Sequence, residues 1–491
     1  MRQRHIKRGM RRHAPLVAFA LGFALLLATL LPFTAGGGLL PIASAHALLV
    51  RSDPAEHAVL QAPPSQVRLW FSEAVNAATS HAVVVDTTNR EVDNHDSHVN
   101  SGDATQMDVG VPLLPAGTYV VAWQTQSADD GHITSGSFYF QIARPDGSVP
   151  AVPAQLPTGH IPGAGGSSAN GGADAQSLVQ AVFTWLALLF MTFWAGGLIW
   201  ETWIHAPGTS HDPDVAEAAR AAARRFRRLA TNALCLVLVA DVGIVLAQAA
   251  DLAGEWSGAV SPPLLRAILF GSRYGDFWWL RQLTVLAALV LFYLADRRGW
   301  QPYRAEPVRL GAESFDIPSL SATLDASLSW RREVLAALRG IPHLPGRLAR
   351  GWRMRTLLGR TELLLGALLI LAFALSGHAA AVPASEFAYA LTVDLFHLVA
   401  EAAWVGGLFY ISAVFVPALR TLTERGRARV LALGLPEFGA VAIVCAVALA
   451  ATGSLSTTIH LTGIEQFLTT AYGRILAVKI EFFLFMVAIS A

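Results

Sequence analysis

Seven apolar runs, each long enough to cross a bilayer, crowd into residues 176–491 of this 491-residue chain and leave few folds open to it. They fall near 177–204, 228–250, 279–296, 356–379, 387–419, 435–460 and 474–491. A run of about 18 or more apolar residues marks a membrane span. Lipid offers no partner to backbone N–H and C=O groups, so runs of this length must be helices. The 387–419 run is long enough to tilt or to include an interfacial turn. Composition agrees: 53% of residues are hydrophobic and 14% charged, where a soluble domain carries nearer a quarter charged. The last run stops at Ala491 without a polar tail, so seven spans are expected here and an eighth beyond.

The first 175 residues read differently. A basic stretch (Arg2, Arg4, Lys7, Arg8, Arg11, Arg12) precedes an apolar one at 16–31, and Ala43-Ser44-Ala45 fits an A-x-A cleavage site. Residues 1–45 therefore read as a secretory signal, and cleavage makes His46 the new N-terminus. Between 48 and 142 hydrophobicity alternates with period two in short runs (66–71, 81–85, 119–123, 137–142) separated by Pro, Gly, Asn and Asp. That pattern predicts an all-β sandwich or barrel over 46–143. Residues 144–175 turn rich in Pro, Gly, Ser and Ala, and 163–172 reads as a flexible tether. The exported part has no cysteine, so no disulfide supports it; Cys235 and Cys445 are the only two in the chain. The net charge of +1 and the lack of a basic groove leave no case for nucleic acid.

A mature N-terminal His46 offers an α-amine and an imidazole from one residue. Asp130 and His132, two apart across Gly131, add a carboxylate and a second imidazole. Three nitrogens and one oxygen in a tetragonal plane suit Cu(II), which tops the divalent affinity order. The residues His46-Ala47, Ser52-x-Pro54-Ala55, Phe71-Ser72-Glu73, Gly117-x-Tyr119-x-x-x-Trp123, Ser127-x-x-Asp130-Gly131-His132 and Gly136-x-Phe138-x-Phe140 follow one another in order. The set resembles the copper-resistance CopC family along the whole exported domain. The resemblance implies an immunoglobulin-like sandwich with His46, Asp130 and His132 as copper ligands. Relatives with a Cu(I) site carry a methionine-rich stretch, whereas Met107 is the only methionine between 46 and 175. This domain is therefore expected to take Cu(II) only. His57, His81, His95 and His98 read as solvated loop histidines.

Exporting the sandwich places residue 176 outside. The loops then expected inside, 220–228, 297–360 and 420–429, are strongly basic, as the positive-inside rule asks. The spans also repeat. Trp194-Ala-Gly-Gly-Leu198 recurs 210 residues later as Trp404-Val-Gly-Gly-Leu408, and Cys235 recurs as Cys445 at the same offset. Leu252-x-Gly254 recurs as Leu461-x-Gly463, and Tyr274-Gly275 as Tyr472-Gly473, followed by Arg281 and Lys479 respectively. An offset of four spans makes these parallel repeats. The segment 176–491 resembles the copper-resistance CopD family, and the domain order resembles known CopC/CopD fusions. That resemblance implies a multi-pass protein of a bacterial cytoplasmic membrane that moves copper, inward, with other copper-handling proteins as partners.

Ionisable residues inside spans default to functional candidates. His378 and His460 lie at the outer ends of the fourth and sixth spans, and His397 about 15 Å into the fifth, by ten residues of helical rise. Glu401 shares a face with His397. Met191 occupies the position of Glu401 in the first repeat, and Cys235 and Cys445 lie toward the inner side. His378, His397, Glu401, His460, Met191, Cys235 and Cys445 form the predicted membrane copper pathway. Asp241 and Lys479 read as charge partners or gating residues whose pairing the sequence leaves open. No nucleotide-binding loop, phosphorylated-aspartate pattern or Ser/His/Asp order is present, so no enzyme is expected. Two alternatives stay open: a membrane-anchored copper buffer or sensor, and a redox protein whose intramembrane histidines hold haem.

Overall fold

The computed structural model describes residues 47–152, 157, 161, 175–205, 213–299, 341–377, 384–460 and 476–484. The predicted signal, His46, the 163–172 tether and His378 lie outside them. Eight strands, β1 (Leu49–Asp53), β2 (Val59–Leu60), β3 (Gln66–Phe71), β4 (His81–Asp86), β5 (His98–Val99), β6 (Gln106–Gly110), β7 (Gly117–Gln126) and β8 (Ile133–Ile142), make two four-stranded sheets. Their orders are β1-β3-β6-β5 and β2-β8-β7-β4. Alternation sets the inward faces. In β3 the side chains of Val67, Leu69 and Phe71 are buried while Gln66 and Arg68 face water. They meet Met107 and Val109 of β6 and, from the other sheet, Val84, Val121, Trp123, Phe138 and Phe140. Met107 is thus a core residue. Strands β7 and β8 pair from Gly117↔Ile142 to Gln126↔Ile133, leaving residues 127–132 as their turn. β7 is buried along nearly all its length. The chain beyond β8 folds back over this sheet: Gln141 and Thr118 bond the carbonyls of Pro150 and Ala151, and Ile161 packs on Ala122.

The second half is helical: α1 (Ala175–His205), α2 (Pro213–Ala253), α3 (Pro262–Phe270), α4 (Arg273–Arg298), α5 (Leu344–Met354), α6 (Leu357–Leu375), α7 (Ala384–Glu401) and α8 (Glu424–His460). Among the described residues six stretches are long and apolar enough to cross a membrane, and they match the first six predicted runs. Of the seventh run, residues 476–484 are helical. The long fifth run resolves into a 35-residue stretch, Phe387–Thr421. Instead of an interfacial turn it holds two π-helical segments, Ala402–Gly406 and Ile411–Phe415. The first π segment overlaps the second Trp-x-Gly-Gly copy, and the two copies face each other. A Cβ on Gly196 would strike the Ala402 carbonyl and the Gly406 Cα; one on Gly406 would strike the Thr192 carbonyl. Backbone approach this close requires glycine. The Trp200 indole closes the contact by donating to the Ala403 carbonyl at 2.8 Å.

Buried charge sits at two levels of α2. Toward one end Arg355, fully buried, donates to Thr202, to the Leu198 and Gly359 carbonyls, and lies 3.8 Å from Glu362, which also pairs with Arg227 at 3.1 Å. Toward the other, Asp241 pairs with Arg281 at 3.2 Å. Gln248, beyond Asp241, meets the sandwich. Arg227 and Gln248 are 21 residues apart on α2, about 31 Å at 1.5 Å per residue, which is the thickness of a hydrocarbon core.

Candidate metal site

The β7–β8 turn carries both Asp130 and His132, and the fold holds it rigidly. Ser127 N–H donates to the His132 carbonyl at 2.8 Å, and Ala128 N–H to the Ala74 carbonyl at 3.0 Å. Asp130 N–H reaches the Ser127 hydroxyl, and Gly131 takes a left-handed φ of 76° that an L side chain rarely adopts. Behind the turn, Gln126 anchors a buried polar network. Its Nε2 donates to the Gly131 carbonyl, and its Oε1 accepts from Thr79 and Asn76.

Within this frame Asp130 and His132 are brought together. Asp130 is buried, the His132 side chain is one-third exposed, and Nδ1 lies 2.9 Å from the Asp130 carboxylate. Asp130 also accepts from the His132 N–H at 3.1 Å. Burial pulls the His132 pKa down, but the Asp130 carboxylate, helped by Glu73 and Asp251, outweighs it and raises it overall. The imidazole is therefore held toward its cationic form.

Glu73 joins this pair, although sequence reasoning used it only as part of a strand-end motif. Glu73 is buried, and neither carboxylate oxygen makes a hydrogen bond of ordinary geometry among the described residues. Burial, then the charges of Asp130 and Asp129, push its pKa up to about 8 against the opposing pull of Ser127 and His132. A divalent cation beside Asp130 and His132 would favour the ionised form of Glu73. The donor set fits copper in kind.

The chain reaches this cluster from the side of position 46. Ala47 is fully buried, and its carbonyl accepts from the Thr134 hydroxyl at 3.0 Å, two residues beyond His132. Leu48 N–H donates to the Ser72 hydroxyl at 3.0 Å, beside Glu73. Among the described residues no three His, Cys, Asp or Glu side chains converge as a complete metal cage.

The described members of the predicted membrane pathway lie in α1, α2, α7 and α8. His397, half-buried, bonds the Thr452 hydroxyl at 2.9 Å through Nδ1. Glu401, one turn on, lies with His397 within electrostatic reach of Lys479. Met191 is fully buried in the helical core. Cys445 is buried whereas Cys235 is exposed. The side chain of His460, at the end of α8, lies outside the described residues, as does His378. Asp241 has Arg281 as its partner, and Gln282 adds a 2.7 Å hydrogen bond.

Comparison with known proteins places two family descriptions on the chain: "CopC domain" over residues 49–143, and "Copper resistance protein D-like, N-terminal domain" over 175–312. "Copper transport protein CutJ" of Bacillus subtilis is 24% identical over 457 residues, covering 91% of this chain and 67% of that protein. "Protein YobA" of Escherichia coli K12 is 35% identical over 105 residues, covering 21% of this chain and 82% of YobA. Among solved structures, CopC from Methylosinus trichosporium OB3b is 27% identical, over 22% of this chain and 98% of that one, with a TM-score of 0.19. PcoC from Escherichia coli, a methionine-rich copper resistance protein, is 28% identical over 20% and 98%, with a TM-score of 0.18.

Proposed function

This chain belongs to the copper-resistance family in which a CopC domain is fused to a CopD-like membrane domain, and from that premise we propose that it captures Cu(II) outside the cytoplasmic membrane and carries copper inward. His46, through its amine and imidazole, joins Asp130 and His132 as ligands, with Glu73 alongside. The observation that supports this most directly is the pair of hydrogen bonds from Thr134 to Ala47 and from Leu48 to Ser72. They fix Ala47 and Leu48, which follow position 46, beside Thr134 and Ser72, two residues from His132 and one from Glu73 in the chain. A mature N-terminus there delivers both of its nitrogens to the Asp130–His132 turn. The likeness to a copper transport protein over nine-tenths of the chain supports a transport role for the helical half. Two basic clusters on the far side from the sandwich, Arg224 to Arg228 and Arg353 to Arg360, favour an outward-facing sandwich.

The test has two arms. N-terminal sequencing of the membrane-extracted chain should begin at His46. Its Cu(II) electron paramagnetic spectrum should show nitrogen coupling that His132→Ala weakens, together with at least a hundredfold loss of Cu(II) affinity. A different first residue, or equal affinity in the variant, removes the assignment.

A further inference from the structure

The turn that holds Asp130 and His132 is also the part of the sandwich that touches the helices. Gln248 of α2 donates to the Gly131 carbonyl at 3.2 Å. Arg273 pairs with Asp129 at 2.7 Å, and Tyr274 N–H reaches the Ala128 carbonyl at 3.3 Å, both from the start of α4. A Cβ on Gly131 would come within 3.0 Å of both the Gln248 amide and the Tyr274 ring. Ala128, Asp129 and Gly131 thus each have a direct bond to the membrane half.

Below this contact α2 and α4 present matching polar rungs. Gln248 and Tyr274, both buried, form the upper one. Seven residues further along each helix, about 10 Å deeper, come Asp241 and Arg281, also buried and ion-paired at 3.2 Å. Gln282 donates to Asp241, Arg281 donates to Ser376, the C-cap of α6, and the Trp278 indole bonds the Asp241 backbone carbonyl. The Oε1 of Gln248 is shielded from water and has no hydrogen-bond partner among the described residues.

A buried ion pair is weak evidence for stability, since apolar packing of the same volume often does as well. In a membrane span such a pair calls for a functional reason. We propose that copper leaving Asp130 and His132 enters the membrane half directly through the α2–α4 seam, by way of Gln248 and then Asp241. Arg281 is the resident cation that an incoming Cu(II) displaces. Its guanidinium already lies 4.7 Å over the Phe373 ring and 5.9 Å from the Tyr274 ring centre, so aromatic faces stand ready to receive it. The donors along the seam are amide and carboxylate oxygens, which suit Cu(II) rather than the thioether- and thiolate-seeking Cu(I). Direct transfer keeps the ion from exchanging with bulk water between the two halves.

This inference rests on the reading of the chain as an inward copper carrier, and one experiment separates the two. The full chain is reconstituted in liposomes and ⁶⁴Cu(II) uptake is measured, with the Cu(II) resonance of the outer site as internal control. The paired substitution Asp241→Asn with Arg281→Gln removes both charges together and leaves neither buried alone. Gln248→Leu removes no charge and keeps volume. Each is expected to lower uptake at least tenfold while the outer resonance, read at saturating Cu(II), stays intact. Uptake within threefold of wild type in either variant overturns the seam as the route. A wild-type chain that binds Cu(II) outside but accumulates none overturns the transport reading itself.

Discussion

Glu73 offers the sharpest quantitative check on the metal site, because its carboxyl is stabilised as the neutral acid only while no cation is present. In the folded domain its pKa rises from 4.5 to about 8, chiefly through burial and the neighbouring carboxylates. The folded state therefore binds one proton more than the unfolded chain between those two pH values. The contribution of Glu73 to folding stability is greatest below pH 4.5, falls as pH rises through the window, and is fully lost above about pH 8. At 1.36 kcal/mol per unit, ionisable Glu73 costs the metal-free domain about 3 kcal/mol at pH 7 and about 5 kcal/mol above pH 8. Glu73→Gln keeps the shape and removes the titration, so it should stabilise the metal-free domain by those amounts at neutral and alkaline pH and scarcely at pH 4.5. The sandwich has its own core, separate from that of the helices, so the assay is urea unfolding of residues 46–152 with chelator at pH 5, 7 and 8.5. Parallel stability curves for wild type and variant across that range would refute the reasoning. Saturating Cu(II) should reverse the order, because the carboxylate then faces a cation that the amide cannot balance.

Three further outcomes follow from the same geometry. Gly131→Ala imposes a side chain on a φ of 76° and presses it against Tyr274 and Gln248; a cost of about 1–2 kcal/mol should appear as weaker Cu(II) retention in competition titrations and faster proteolysis at the turn. Gly196→Val drives methyl groups into the backbone at Ala402 and Gly406; overpacking of about 3 kcal/mol or more should abolish the monodisperse peak in detergent chromatography after mild heating. Leu69→Ala, fully buried between the sheets, should cost about 2–5 kcal/mol in urea unfolding of the sandwich while leaving the Cu(II) spectrum unchanged.

Much of this arrangement was legible in the residues. Alternation at Val67, Leu69 and Phe71 marks an inward face whatever the topology. The Asp-Gly-His tripeptide announces a turn because Gly131 alone accepts the left-handed backbone. Apolar runs show where spans begin because lipid permits no other conformation. The remainder depends on partners distant in sequence. Gln126 looks misplaced in a buried strand until Thr79, Asn76 and Gly131 are folded around it. Glu73 becomes chemically unusual only when the 127–132 turn is laid beside it. Repeat matching set Arg281 opposite Lys479, and nothing local says that α4 brings Arg281 to Asp241. The fifth span's length suggested a surface turn. The Gly-Gly contact with α1 instead keeps the helix continuous through π-helical turns, which absorb extra residues without breaking the backbone hydrogen bonds.

The Gly131 carbonyl links the two halves most closely. It accepts from Gln126, which belongs to the sandwich, and from Gln248, which belongs to α2. Its own peptide leads directly into His132. With Asp130 and His132 as the proposed ligands, copper binding and domain docking act on one short piece of backbone, on either side of the residue that α2 holds. Two events that share a rigid element exchange free energy in both directions. If docking on Gln248 and Arg273 alters the affinity of Asp130 and His132 for Cu(II), then Cu(II) alters the hold of the sandwich on the membrane half by the same factor. A loop free in solution would lack that coupling. Fusing the metal-binding sandwich to the helices raises the local concentration of the turn at the α2–α4 seam, and the Asp129–Arg273 pair fixes the register in which it arrives.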